Sequence, residues 1–226
     1  MTFSIAGLCS RTGEFGCALA TSSMAAGARA AFVAPDTGVV LSQARSDPRL
    51  GQLGIAELQR GRGAQQVLQA MLDASPHAAW RQLAVLDRDG NTAAATGAEC
   101  TQAKGERMAQ GALAAGNGLA NDNVVGAMLA GFQEAGDRSL AERLIIALEA
   151  GMAAGGEAYP LRSAALKVAR PGVPLLPVDL RVDYSETPVA ELRRFWSLWV
   201  PMIEGYVQRC VDPANSPPAA LIEGHG

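Results

Sequence analysis

The sequence predicts an α+β protein in which antiparallel sheets and helices occupy separate layers. Two observations carry that expectation. Short alternating runs come in pairs joined by turn residues, three times within the first hundred positions, as hairpins do. The helix-period segments come in blocks rather than one after each strand, so parallel βαβ units are not expected.

The elements follow in order. Met1-Thr2-Phe3-Ser4-Ile5 opens the chain with Phe3 and Ile5 on one face and Thr2 and Ser4 on the other, the period-2 pattern of a half-buried strand. Phe3–Leu8 and Phe15–Thr21 flank the turn Ser10-Arg11-Thr12-Gly13-Glu14. Ala31–Ala34 and Val39–Gln43 flank Pro35-Asp36-Thr37-Gly38. Leu53–Leu72 has helical spacing, broken near Gly61 and Gly63. Gln82–Leu86 and Asn91–Thr96 are joined by Asp87-Arg88-Asp89-Gly90, an Asp-Gly hairpin signal. Gly111–Leu119 is expected to be a strand feeding a helix over Asn123–Ala135. Ser139-Leu140-Ala141-Glu142 is a capping box that starts a helix to about Gly151. Ser163–Ala169 and Val178–Val182 read as strands, and Thr187-Pro188 opens a last helix to about Arg209. One domain over residues 1–210 is expected, with a flexible Pro-rich tail over 211–226.

Composition excludes several function classes. Hydrophobic residues make up 49% of 226 positions but aromatics only 5%, so a large core must rest on small side chains and close backbone approach. A net charge of −3 gives no electrostatic footprint for nucleic acid. No apolar run reaches the roughly 18 residues of a membrane span. No basic segment followed by an apolar stretch opens the chain, so a cytoplasmic location is expected. Cys9, Cys17, Cys100 and Cys210 lack any zinc spacing and read as buried free thiols, so no metal is expected.

Two histidines, His77 in a loop and His225 in the tail, leave little room for a Ser-His-Asp or Cys-His site. Nucleotide-binding glycine motifs are missing, so no cofactor is expected. A histidine-poor enzyme takes its base from a carboxylate, a lysine or an α-amine. Removing Met1 would give Thr2 a hydroxyl and an α-amine on one residue, a nucleophile with its own base. An α-amine titrates near about 7.7–8.0, so a useful fraction is neutral at physiological pH.

Segments along most of the chain resemble one family. They include Thr2-Phe3-Ser4-Ile5, Thr12-Gly13-Glu14-Phe15-Gly16, Ala20-Thr21-Ser22-Ser23 and Gly38-Val39-Val40-Leu41-Ser42-Gln43-Ala44. Asp47-Pro48-Arg49-Leu50-Gly51, Gly116-Asn117-Gly118-Leu119, Gly155-Gly156-Glu157 and Arg162-Ser163-Ala164-Ala165-Leu166 continue the match. Together they resemble the DUF1028 family, assigned to the Ntn-hydrolase (N-terminal nucleophile) superfamily. The resemblance implies an αββα four-layer sandwich, two antiparallel sheets between helical layers. It also implies a hydrolase of small linear or cyclic amides with the nucleophile at the mature N-terminus, which here is Thr2. Around it the resemblance places Ser4, Ser22, Ser23, Gln43, Asn117 and Ser163 as substrate-binding or oxyanion candidates, with backbone N–H groups near Ser22–Ser23 or Gln43–Ala44 as donors. Arg45, beside Gln43, is a candidate partner for a substrate carboxylate, because a guanidinium matches that geometry. Three positions depart from the family's pattern: Ser23 stands where a basic residue is common, Asp47 where Asn is, and Ala115 where Gln is.

Three readings stay open. The first is an amide hydrolase acting through Thr2 on a small-molecule amide. The second is an inactive small-molecule-binding or assembly protein on the same fold. The third is an enzyme with an internal nucleophile, Ser22, Ser23 or Cys17. A homo-oligomer through the aromatic-rich helix Phe195–Tyr206 is a further expectation.

Overall fold

A computed structural model describes residues 1–225. Ten strands form two antiparallel sheets. The larger contains β1 (Thr2–Leu8), β2 (Phe15–Thr21), β7 (Lys104–Ala109), β8 (Ala112–Asn117), β9 (Ser163–Ala169) and β10 (Val178–Val182), in the order β10-β9-β2-β1-β8-β7. The smaller contains β3 (Ala31–Ala34), β4 (Gly38–Ala44), β5 (Arg81–Asp87) and β6 (Thr92–Thr96), in that order. The three predicted hairpins are all present.

Three apolar layers stack the molecule. Helices α3 (Val124–Glu134), α4 (Leu140–Ala153) and α5 (Pro188–Trp199) cover the outer face of the large sheet, burying Phe3, Ile5, Met128, Phe132 and Leu144. Ala6, Cys17, Leu19, Leu41, Leu86 and Leu113 fill the space between the sheets. Helices α1 (Pro48–Gln59) and α2 (Ala64–Asp73) cover the outer face of the small sheet over Val40, Leu68 and Met71. The result is the αββα sandwich that the resemblance implied. The alternation read in the opening strand sorts correctly: Phe3 and Ile5 face the helices, while Ser4 bonds to Gln43 of the opposite sheet.

Close approach replaces aromatic bulk, as the composition required. A Cβ on Gly16 would lie 2.2 Å from the Lys167 carbonyl oxygen, and one on Gly7 would lie 2.4 Å from the Phe132 ring. Only glycine lets those strands and helices meet.

Several elements differ from the sequence expectation. Helix α1 starts five residues early, at Pro48, because the Asp47 side chain accepts the Arg49 N–H and caps it. Strand β7 is an unpredicted edge strand. Lys104-Gly105-Glu106-Arg107 is too polar to show alternation, which suits an edge that meets solvent. The last helix is two: Pro201 interrupts it with a 3₁₀ turn, and α6 (Ile203–Val211) follows. Thr187 gives no side-chain cap to α5, although Pro188 does sit in its first turn. Cys210 is exposed, while the other three cysteines are buried free thiols. Residues 213–215 form a 3₁₀ turn and α7 (Ala219–Ile222) folds back so that Ile222 lies against Gly205. The final residue of the proposed tail lies outside the described residues.

The aromatic-rich segment spends its rings inside the chain. Trp196 is buried and its indole donates to Glu142 at 2.9 Å. Trp199 donates to the Pro177 carbonyl at 2.8 Å and stacks on Tyr206 at 5.0 Å. No helix is long and apolar enough to cross a membrane among the described residues.

Candidate functional site

Thr2 opens β1, one of the two central strands of the large sheet, opposite Asn117 of β8. It is 5% exposed, so its hydroxyl is nearly shut from solvent. That hydroxyl donates to the Met1 carbonyl, which also accepts from the Thr21 hydroxyl at 2.7 Å. Two hydroxyls are thus aimed at the carbonyl oxygen of the Met1–Thr2 peptide bond. The Met1 side chain fills the notch over Gly118, where an added Cβ would come within 1.9 Å of Met1 Cγ and φ is +63°. A cavity of about 260 Å³ adjoins it, lined by Met1, Ala44, Arg45, Trp80, Glu99, Cys100, Thr101 and Asn117.

Beneath Thr2 a polar network ties the two sheets. The Ser4 hydroxyl donates to Gln43 Oε1 at 2.9 Å. Gln43 Nε2 donates to Gln82 Oε1 at 2.7 Å, and Asn117 Nδ2 donates to the same oxygen at 3.0 Å. Gln82 Nε2 in turn donates to Thr96 Oγ1 at 2.7 Å and to the Gly116 carbonyl at 2.9 Å. Ser4, Gln43 and Asn117 therefore do converge, but through Gln82, which sequence reasoning missed. The available signal was cross-strand: Gln82 on β5 stands directly opposite Gln43 on β4.

Arg45 also reaches the site. Ala44, with φ at +69°, turns the chain at the end of β4, and the Arg45 guanidinium lies 4.5 Å over the Trp80 ring.

Ser22, Ser23 and Ser163 form a second group on the β2 side. The Ser163 hydroxyl donates to the Ser23 carbonyl at 2.7 Å and accepts the Ala26 N–H at 3.2 Å, so it fastens the loop after β2. The Ser22 N–H donates to Glu157 Oε2 at 2.9 Å, and the Ser23 N–H donates to the Thr21 hydroxyl at 3.1 Å. These two N–H groups already have partners and are not free for an oxyanion, contrary to the sequence expectation. Thr21 is the donor that faces the Met1 carbonyl instead.

Glu157 is the other residue that sequence reasoning left without a role. It is buried, and its Oε1 has no hydrogen-bond partner. Burial pushes its carboxyl above the ordinary value of 4.5, opposed by hydrogen bonds from Ser22 and by the charge of the Met1 α-amine. Neither lysine approaches Thr2 as a free cation. Lys104 Nζ is held by the carbonyls of Gly97 at 3.1 Å, Ala98 and Cys100 at 2.9 Å. Lys167 pairs with Asp179 at 3.7 Å. Cys17 is fully buried and its thiol is pushed up to about 12 by desolvation, which leaves it protonated and unfit as an internal nucleophile. No cluster of three or more His, Cys, Asp or Glu with metal-binding geometry occurs among the described residues.

Residues 2–192 match the family model described as "Family of unknown function (DUF1028)". The chain is similar to the crystal structure of protein SPO2555 from Silicibacter pomeroyi, a DUF1028 protein. The two share 33% identity over 87% of this chain and 84% of that one, with a TM-score of 0.80. Looser likenesses link it to Anbu (ancestral beta-subunit) from Yersinia bercovieri, at 12% identity over 96% and 98% of the two chains with a TM-score of 0.40. The Anbu (Gly-1) mutant from Hyphomicrobium sp. strain MC1 gives 12% identity over 87% and 94% with a TM-score of 0.43. Likenesses at that level bear no weight on this chain's chemistry. No curated protein matches the chain.

Proposed function

The chain belongs to the DUF1028 family, a family of unknown function, and from that premise we propose that it hydrolyses a small linear or cyclic amide with Thr2 as an N-terminal nucleophile. The observation that carries the reading is the seat of Met1. Its carbonyl is bonded by the hydroxyls of both Thr2 and Thr21, beside a cavity.

The chemistry follows once Met1 is removed. The free Thr2 α-amine, near its titration midpoint at physiological pH, accepts the hydroxyl proton through a bridging water. Thr2 Oγ1 attacks the amide carbonyl, and the Thr21 hydroxyl stabilises the oxyanion that forms. Collapse expels the amine, which takes a proton from the α-ammonium. Water then attacks the ester on Thr2 and gives its proton to the amine; collapse breaks the bond to Thr2 Oγ1, which takes that proton from the α-ammonium as the acid is released. Asn117, opposite Thr2, and the Gln43–Gln82 pair behind it hold the strand end in register.

Thr2→Ala tests the reading. Turnover of a verified amide substrate is expected to fall to background with the melting temperature unchanged. Full turnover in that variant would sink it. A second reading, an inactive binder on the same fold, is favoured by how well Met1 fills its notch over Gly118, since a retained Met1 blocks the amine. Intact mass separates the two: a mass lacking one methionine supports the hydrolase, and full retention supports the binder.

A further inference from the structure

We propose that the acyl part of the substrate carries a carboxylate, so that the protein acts on half-amides of short dicarboxylic acids, with Arg45 stacked on Trp80 as the anion subsite. The inference rests on the hydrolase reading and deepens it. Met1 is joined to the Thr2 nitrogen and its carbonyl oxygen accepts from the Thr2 hydroxyl, so removing Met1 opens space beside that hydroxyl for an acyl chain to enter. That space is the cavity of about 260 Å³ whose wall includes Arg45 and Trp80. A second hollow of about 280 Å³ continues past the same two residues to His77 and Arg81.

The charges along this groove are unequal. Arg45 is in no ion pair among the described residues. Its guanidinium lies over Trp80 at 4.5 Å, which orders the group while leaving its N–H edge free for a planar anion. Arg81 is held by the Arg45 carbonyl and by Asp47 at 3.6 Å, yet its Nε is buried without a partner. Asp47 divides itself between Arg81 and Arg49, the latter at 2.8 Å. Glu99 is the one carboxylate on the first cavity's wall, and it is exposed, where water and salt screen it. A neutral acyl chain would leave Arg45 unused; a carboxylate at its far end would meet the Arg45 guanidinium. The reaction balances simply: half-amide plus water gives the dicarboxylate and ammonia or an amine.

The test uses protein released from a cleavable N-terminal fusion so that it begins at Thr2, as verified by mass. Glutarate, the product-like dicarboxylate, and glutaramide, its neutral diamide, are titrated by calorimetry. Glutarate is expected to bind at least tenfold more tightly than glutaramide. Arg45→Gln, an exposed substitution, is expected to cost glutarate at least tenfold and to leave glutaramide unchanged. Protein that retains Met1 is expected to bind glutarate at least tenfold more weakly, because Met1 occupies the acyl position. Equal binding of the two ligands, or glutarate binding untouched by Arg45→Gln, overturns the proposal. Binding needs no turnover, so an inactive Thr2 with intact glutarate selectivity would sink the hydrolase reading and spare the subsite. The reverse result would do the opposite.

Discussion

Thr21 carries two duties through one oxygen. Its hydroxyl accepts the Ser23 N–H and donates to the carbonyl attached to Thr2. Thr21→Val keeps the shape and removes the donor. Loss of one oxyanion donor costs about 10²–10³ in kcat. That loss is expected for Thr21→Val on any substrate Thr2 turns over, with KM changed far less; steady-state kinetics check it. Glu157 makes a different prediction. Its carboxyl is raised above 4.5, chiefly by burial, so the folded state holds a proton that the unfolded state has lost. Its favourable contribution is therefore full below the ordinary carboxylate range and is lost as pH rises through the raised value. Glu157→Gln removes that titration. Relative to the wild type, the variant is expected to gain stability as pH is raised from 4 to 8, measured by urea unfolding across that range. A constant difference at every pH would show that Glu157 keeps an ordinary carboxyl.

The elements show where local sequence was enough and where it was not. Paired runs and an Asp-Gly turn marked all three hairpins because a half-buried strand writes its face into alternate residues. β7 left no such mark, since an edge strand that meets solvent needs no apolar face. The start of α1 was legible in principle: Asp47-Pro48 is an N-cap followed by proline in the first turn. The scarcity of apolar residues before Leu53 hid it. Asp47 also pairs with Arg49, which with their hydrogen bond holds its carboxyl below the usual range. Asp47→Ala is expected to cost about 0.5–2 kcal/mol, the worth of a lost cap. Because the carboxyl is depressed, its stabilisation is present above the ordinary carboxylate value and is lost as pH falls through the folded one. The gap between Asp47→Ala and wild type should therefore narrow in acid. Asp47→Asn keeps a capping oxygen and should restore most of the loss at neutral pH. Thermal unfolding at two pH values checks both.

At the scale of the molecule, the candidate site is the place where the space between the sheets stops being apolar. Most of that layer is alanine, leucine and valine. Toward Thr2 it changes to Ser4, Gln43, Gln82, Thr96 and Asn117, from both sheets. This is why the site was only half legible. Ser4, Gln43 and Asn117 each lie at or near the end of a predicted strand and could be named one by one. Their meeting depends on how one sheet lies over the other, and no local pattern encodes that. Gln82 is the joint: its one oxygen accepts from Gln43 and Asn117, and its nitrogen serves Thr96 and the Gly116 carbonyl. Gln82→Ala would strand two buried amide donors and a backbone carbonyl. Unpaired buried polar groups cost about 1–3 kcal/mol each, partly relieved if water enters. A net loss of about 2–4 kcal/mol is expected on that basis. For a chain of this size that is a fall in melting temperature of about 4–16 °C. Gln82→Glu gives the sharper test, since it keeps the acceptor oxygens for Gln43 and Asn117 but removes the donor to Thr96 and Gly116. It is expected to melt between wild type and Gln82→Ala at low pH, where a protonated carboxyl still donates, and to lose that advantage as pH rises. If both variants melt with the wild type, the sheets are held at this end by apolar packing alone, and the polar layer beneath Thr2 exists for chemistry rather than for the fold.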